Sequence, residues 1–128
     1  MNIFFLDKSP ELAAKYLCDK HVPKMLLESS QMLSTAIQRH LGGTIGELYK
    51  PAYPKHPMTI WVGDNKNNFK WDFSDSIPQG DMTNPPQCMP DNYKGKSHVI
   101  AYRKYYKGDK SYFAKWEKGV AMPTWWLK

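Results

Sequence analysis

Cysteine is scarce in this chain of 128 residues: there are two, Cys18 and Cys88. Two cysteines allow one bridge and no disulfide framework, so reduced thiols are expected. Paired metal-ligand motifs are lacking as well. A zinc set can be drawn from Cys18, His21, Cys88 and one of His56 or His98. Only the Cys18–His21 spacing suits one helix face, and no second pair supports it, so neither a metal nor a cofactor is expected. No apolar run approaches the roughly 18 residues of a membrane span. Residues 1–11 have no basic leader and turn polar too soon for a signal peptide. These absences point away from a membrane and towards the cytoplasm. There is no internal repeat. Negative charge is also in short supply, with 12 acidic against 18 basic side chains and a formal net charge of +6. That balance favours a polyanionic partner, nucleic acid or a phosphorylated nucleotide.

Aromatic side chains are plentiful. Five tryptophans, eight tyrosines and five phenylalanines exceed what so small a core needs, and several stand beside lysines. Aromatic faces next to cations suit base stacking with phosphate neutralisation, although they also serve to close a small core. Hydrophobic residues make up 41%. Their amount and patterning suit one globular domain, residues 1–128, with a single core.

The longest periodic stretch runs from Ser9 to Gly42. Ser9 is the expected N-cap, Pro10 suits the first helical position, and Glu11 lies where the helix dipole favours an anion. Leu12, Ala13, Tyr16 and Leu17 form one apolar stripe, which Met25, Leu26, Met32, Leu33, Ala36 and Ile37 resume. Pro23 between them predicts a kink or a break, and the glycines at 42 and 43 predict the stop. Cys18, Asp19, Lys20, His21, Lys24 and Glu28 crowd around the bend. They read either as a site or as the solvated basic face of a core helix.

The rest of the chain follows suit. Residues 2–6 predict a strand or an extended arm. Residues 49–57, with three prolines, predict a stiff connection or docking strip. Residues 57–73 predict a helix, with Ile60, Trp61, Phe69 and Phe73 sharing its apolar face. Residues 74–96 have no period and predict a long loop. Residues 97–107 predict a helix capped by Ser97, with Val99, Ile100 and Tyr106 partly inward and Arg103, Lys104 and Lys107 outward. Residues 109–118 predict a short further helix, and the chain ends in an extended aromatic tail. The predicted fold class is mainly α: a single compact helical domain with a long kinked first helix.

The order of these parts resembles the phage pyrimidine-dimer DNA glycosylase/AP-lyase family, the UV endonucleases. The matching residues are Ser9, Glu11, Leu12, Ala13, Leu17, Pro23, His56, Thr59, Pro123, Thr124 and Trp125. The segments Cys18 to Met25 and Pro85 to Asp91 are similar to those of uncharacterised phage relatives. The resemblance implies an all-helical domain in the host cytoplasm. Its terminal amine attacks the sugar C1′ of a damaged nucleotide, and a glutamate on the first helix assists elimination. Two departures stand out. The family glutamate falls on Pro23 or on His21 according to the register, which leaves Asp19 and Glu28 as the nearest carboxylates. Asn2 is too large for Met1 to be removed, so the amine belongs to Met1.

Two leading functions and one further alternative are therefore expected. In one, the Met1 amine is the nucleophile and His21, titrating near neutral pH, the acid/base. Lys20, Lys24 and Arg103 then hold phosphates. In the other, the same fold binds DNA or a phosphorylated nucleotide without turnover, as a sequestering anti-defence protein. In both, Lys20, His21, Lys24, His56, Arg103, Lys104 and Trp125 are candidate contacts, and His21 binds anions more strongly when protonated. A third, weaker alternative is a structural phage protein that docks partners through residues 49–57.

Overall fold

A computed structural model describes residues 2–43, 45–69, 78 and 80–127, with Phe69 described by its backbone alone. Among these the regular structure is entirely helical. The helices are α1 (Pro10–Lys15), α2 (His21–Leu41), α3 (Pro57–Asp64), α4 (Lys66–Phe69) and α5 (His98–Asp109). Two 3-10 turns, Asp91–Tyr93 and Thr124–Leu127, complete it, and the second winds up the end of the aromatic tail. The chain divides into two units, one formed by Met1–Ile3 and Leu26–Cys88, the other by Phe4–Met25 and Met89–Lys128. Residues 2–6 are an extended arm without strand pairing.

The expected bend at Pro23 is a full break. α1 ends at Lys15, and five residues intervene before α2. In a continuous helix the Pro23 ring would meet the carbonyl of Asp19, one turn back. Restarting at His21 makes Pro23 the third helical residue, where no backbone N–H finds an intrahelical acceptor. Ser9 caps α1 as predicted, its Oγ accepting from Leu12 N at 3.3 Å. Gly42 stops α2 at φ 74°, and Gly43 N donates back to the Gln38 carbonyl at 3.2 Å. This is the glycine-terminated helix end in which a left-handed residue satisfies an orphan carbonyl.

In the second unit, Phe4, Leu6, Cys18, Val99, Ala101, Tyr102 and Tyr106 form the core. Ser97 caps α5 through Ile100 N at 3.3 Å. The predicted inward residue Ile100 is 56% exposed, and Tyr102 takes the buried position instead. α5 runs past Gly108 to Asp109. The helix expected over 109–118 is replaced by a turn at 111–113 and irregular chain. Asp19 fixes that chain: its N–H donates to the Lys115 carbonyl at 2.8 Å, and its Oδ2 accepts from Glu117 N at 2.7 Å.

In the first unit, Met32, Leu33, Ala36, Met58, Trp61 and Val62 are buried. Leu26, expected on the apolar stripe, is 71% exposed, and Ile60 also faces outward. The helix expected over 57–73 divides at Asn65, and residues 70–73 lie outside the described residues, as do 74–77 of the long loop. Residues 80–83 of that loop are tied down. Asn65 Nδ2 donates to the Asp81 carbonyl at 3.0 Å, Trp61 Nε1 to the Thr83 carbonyl at 3.3 Å, and Thr83 N to Asn68 Oδ1 at 2.8 Å.

Gln38 joins α2 to the next segment. Its Nε2 donates to the Ser34 and Tyr49 carbonyls, both at 2.8 Å, and its Oε1 accepts from Ile45 N at 2.8 Å. Replacing Gln38 by Leu leaves these backbone groups without their partner, and unfolding in urea is expected to show a loss of about 2 kcal/mol. A loss below about 0.5 kcal/mol would mean that water satisfies them instead.

Candidate functional site

His21 opens α2 and is buried, with 3% exposure. Its ring stacks on Phe4 at 4.7 Å between centroids and meets the edges of Tyr106 and Phe113, each at 5.2 Å. Its Nδ1 lies 2.7 Å from Tyr106 Oη. That phenol also accepts from Cys18 N at 3.0 Å and lies 3.3 Å from Cys18 Sγ. Sulfur is a weak acceptor. The phenol thus stands between two acceptors, Cys18 Sγ and His21 Nδ1, and the tautomer of His21 decides which of them takes its proton. Burial raises the Tyr106 pKa, as does the Cys18 thiol, while the bond accepted from Cys18 N opposes them, so the phenol stays protonated.

Burial lowers the His21 pKa to about 4, with help from the charges of Lys110, Lys24 and Lys20. The sequence suggests a histidine that titrates near neutral pH; the folded chain holds it neutral well below that. Its imidazole stays neutral until the pH approaches 4, so the strengthening of anion binding expected just below pH 6.5 does not come from His21.

The three ammonium groups acting on His21 have no carboxylate partner among the described residues. Lys20 Nζ lies 4.7 Å from the centre of the Phe113 ring and Lys110 Nζ lies 4.9 Å from that of Tyr105. Lys110 belongs to this group although the sequence reading passed over it, because it reaches His21 from the end of α5.

Arg103, expected beside these lysines as a phosphate ligand, is committed internally. Its Nε donates to the Leu6 carbonyl at 2.7 Å and its Nη2 to Asp7 Oδ1 at 3.1 Å, while its guanidinium lies 5.1 Å from the Trp125 ring. Asp7 also accepts from Ser9 N at 2.9 Å, so Arg103 helps to hold the start of α1. Trp125 is half-buried against Tyr16, Tyr106 and Trp126, and its Nε1 finds no partner among the described residues. Lys104 is exposed on α5.

The remaining candidates belong to the first unit. His56 is the N-cap of α3, and its Nδ1 accepts from Met58 N at 3.1 Å. That bond fixes the neutral tautomer with the proton on Nε2. Burial lowers the His56 pKa, the positive charge of the chain's amino terminus lowers it further, and the Glu28 carboxylate opposes both. One imidazole thus feels an amine and a carboxylate. Met1 itself lies outside the described residues. Asn2, the next residue, is anchored: its Nδ2 donates to the Cys88 carbonyl at 2.9 Å and its Oδ1 accepts from Ile3 N at 2.9 Å. Thr59, one turn into α3, is buried, and its Oγ1 is unpaired among the described residues.

Glu28 was one of two carboxylates open from the sequence. The structure gives them different surroundings: Asp19 bonds to the backbone of Lys115 and Glu117, and the Glu28 carboxylate acts on His56.

Both cysteines are free thiols, Cys18 buried and Cys88 half-buried. Among the described residues no three His, Cys, Asp or Glu side chains gather as metal ligands, and no helix is long and apolar enough to cross a membrane. Comparison with protein-family models, curated proteins and solved structures finds no match.

Proposed function

We propose that the protein acts on DNA through its amino-terminal amine, as an abasic-site lyase of the kind its sequence resembles. The observation that supports this reading is the joint action of the amino-terminal charge and the Glu28 carboxylate on His56. An amine for covalent attack and a carboxylate to move protons are the two groups that such chemistry needs.

An α-amine has an ordinary pKa near 8, so a useful fraction is neutral at pH 7. The neutral amine adds to C1′ of the open-chain aldehyde at an abasic site, and loss of water gives an iminium. The iminium acidifies the C2′ proton. Glu28 accepts that proton, the C3′–O bond breaks, and the 3′ phosphate departs with the bonding pair. Water then hydrolyses the imine and regenerates the amine. His56, neutral with its proton on Nε2, donates to a substrate oxygen and adds no second cation beside the amine.

Borohydride trapping tests this reading. Incubation with an oligonucleotide carrying one abasic site should give a covalent protein–DNA adduct, and acetylation of the α-amine should abolish it. A protein that binds the oligonucleotide yet gives no adduct would overturn the lyase reading. It would favour the second reading, a binding protein that sequesters DNA or a phosphorylated nucleotide. What speaks for that second reading is the set of ammonium groups of Lys20, Lys24 and Lys110, without carboxylate partners among the described residues, around a neutral His21.

A further inference from the structure

The second unit carries a surface that the amine chemistry does not use. Tyr112 is 83% exposed, and among the described residues its ring meets only Phe113, at 4.8 Å between centroids. Lys20 rests on the Phe113 ring, 4.7 Å from its centre. His21 lies against Phe113 at 5.2 Å and against Phe4 at 4.7 Å, and Phe4 stacks on Tyr105 at 6.1 Å. Lys110 closes the series over Tyr105 at 4.9 Å. The ring contacts run from Tyr112 through Phe113 and the buried His21 and Phe4 to Tyr105, with one ammonium group over the ring near each end, Lys20 over Phe113 and Lys110 over Tyr105.

The charges of this strip are unbalanced. Lys20, Lys24 and Lys110 form no ion pair among the described residues, and Asp19, next to Lys20 in sequence, is occupied by the Glu117 N–H. Asp109 accepts from the Tyr93 hydroxyl at 2.8 Å. Among the described residues Lys20 and Lys110 thus rest on rings rather than on carboxylates. A cation over a ring is a weak arrangement at an exposed site, so a phosphate can recruit it readily. A tyrosine as open as Tyr112 adds nothing to the core that an alanine would not.

We infer that Tyr112, Phe113 and Tyr105, with Lys20, Lys24 and Lys110, form a platform that binds single-stranded nucleic acid. Unpaired bases stack on the rings, and the lysines neutralise the intervening phosphates. Stacking of this kind is sequence-tolerant because every base has a π-face. A duplex keeps its base faces inside its own stack, and a bare polyphosphate has none, so neither uses the rings. This surface shares with the proposed function only its nucleic-acid partner and needs no step of the amine chemistry.

The test is fluorescence anisotropy with an intact labelled oligothymidylate, which carries no aldehyde and so reports on the platform alone. The single strand should bind more tightly than a duplex of equal length, and inorganic polyphosphate of equal charge should compete poorly. Tyr112→Ala should weaken the single-strand affinity about tenfold, the loss of one stacked base. Because Tyr112 is so exposed, the circular dichroism spectrum of that variant should be unchanged. Lys20→Ala and Lys110→Ala should each reduce the slope of log affinity against log salt by about 0.7. Equal affinity for duplex and single strand, full competition by polyphosphate, unchanged affinity of Tyr112→Ala, or no binding at all would each overturn the platform.

Discussion

Replacing Glu28 by Gln is expected to lower strand cleavage at an abasic site by about two to four orders of magnitude, the usual worth of a positioned acid–base group. The same variant should still be trapped by borohydride, because forming the iminium needs the amine and the aldehyde but no carboxylate to take the C2′ proton. Glu28 is half-buried on α2. Glutamine keeps its size and hydrogen-bonding reach while removing the charge, so the fold is expected to persist. The His56 pKa provides an independent reading of the same variant. Glu28 raises it against burial and the amino-terminal charge, so Glu28→Gln should move the His56 titration to lower pH, followed by NMR of the imidazole carbons. An unchanged His56 titration would separate Glu28 from His56. Cleavage at the original rate would remove Glu28 from the chemistry and leave the amine without its carboxylate.

Local signals carried much of the fold. Ser9, Pro10, Ser97 and Gly42 each act within a few residues of themselves, and each helix end they mark is where its cap chemistry puts it. Pro23 signalled an interruption, and within the break Asp19 bonds to the distant Lys115 and Glu117, partners that no local signal gives. The candidate site was less legible because its deciding partners are remote in sequence. Burial, helped by the charges of Lys110, Lys24 and Lys20, turns a histidine expected to titrate near neutral pH into a neutral group, and its hydrogen-bond partner Tyr106 lies 85 residues away. Arg103 reads as a phosphate ligand on an exposed helix face, yet Asp7 and the Leu6 carbonyl, 96 and 97 residues away, hold its guanidinium through Nη2 and Nε. Glu28 and Asp19 look alike as carboxylates in sequence; only their distant contacts distinguish them. Composition suggested cations beside aromatic rings, and the pairs Lys20–Phe113 and Lys110–Tyr105 give that suggestion specific members.

His21 should also make the stability of the protein sensitive to acid in a way that one substitution removes. In the unfolded chain its pKa is near 6.5, and in the folded chain about 4. Above pH 6.5 both states are neutral and the group adds no pH dependence. As pH falls from 6.5 towards 4 the unfolded chain takes up a proton that the folded chain refuses, so stability drops. Between pH 7 and pH 4.5 this amounts to about 2.5 kcal/mol. His56 and His98, also lowered by burial, add to the same slope and are common to wild type and variant. His21→Asn keeps a polar atom for the Tyr106 hydroxyl and cannot titrate. At pH 7 it should be less stable than wild type by about 2 kcal/mol, since it gives up the ring packing on Phe4 and Phe113. At pH 4.5 that deficit should vanish or reverse. Urea unfolding of both proteins at the two pH values measures the difference directly, and the acid sensitivity of shared carboxylates cancels in it. A deficit that stays constant from pH 7 to 4.5 would mean that His21 takes up its proton in the folded state as easily as in the unfolded one. The buried, phenol-bound imidazole would then be the wrong description of the start of α2.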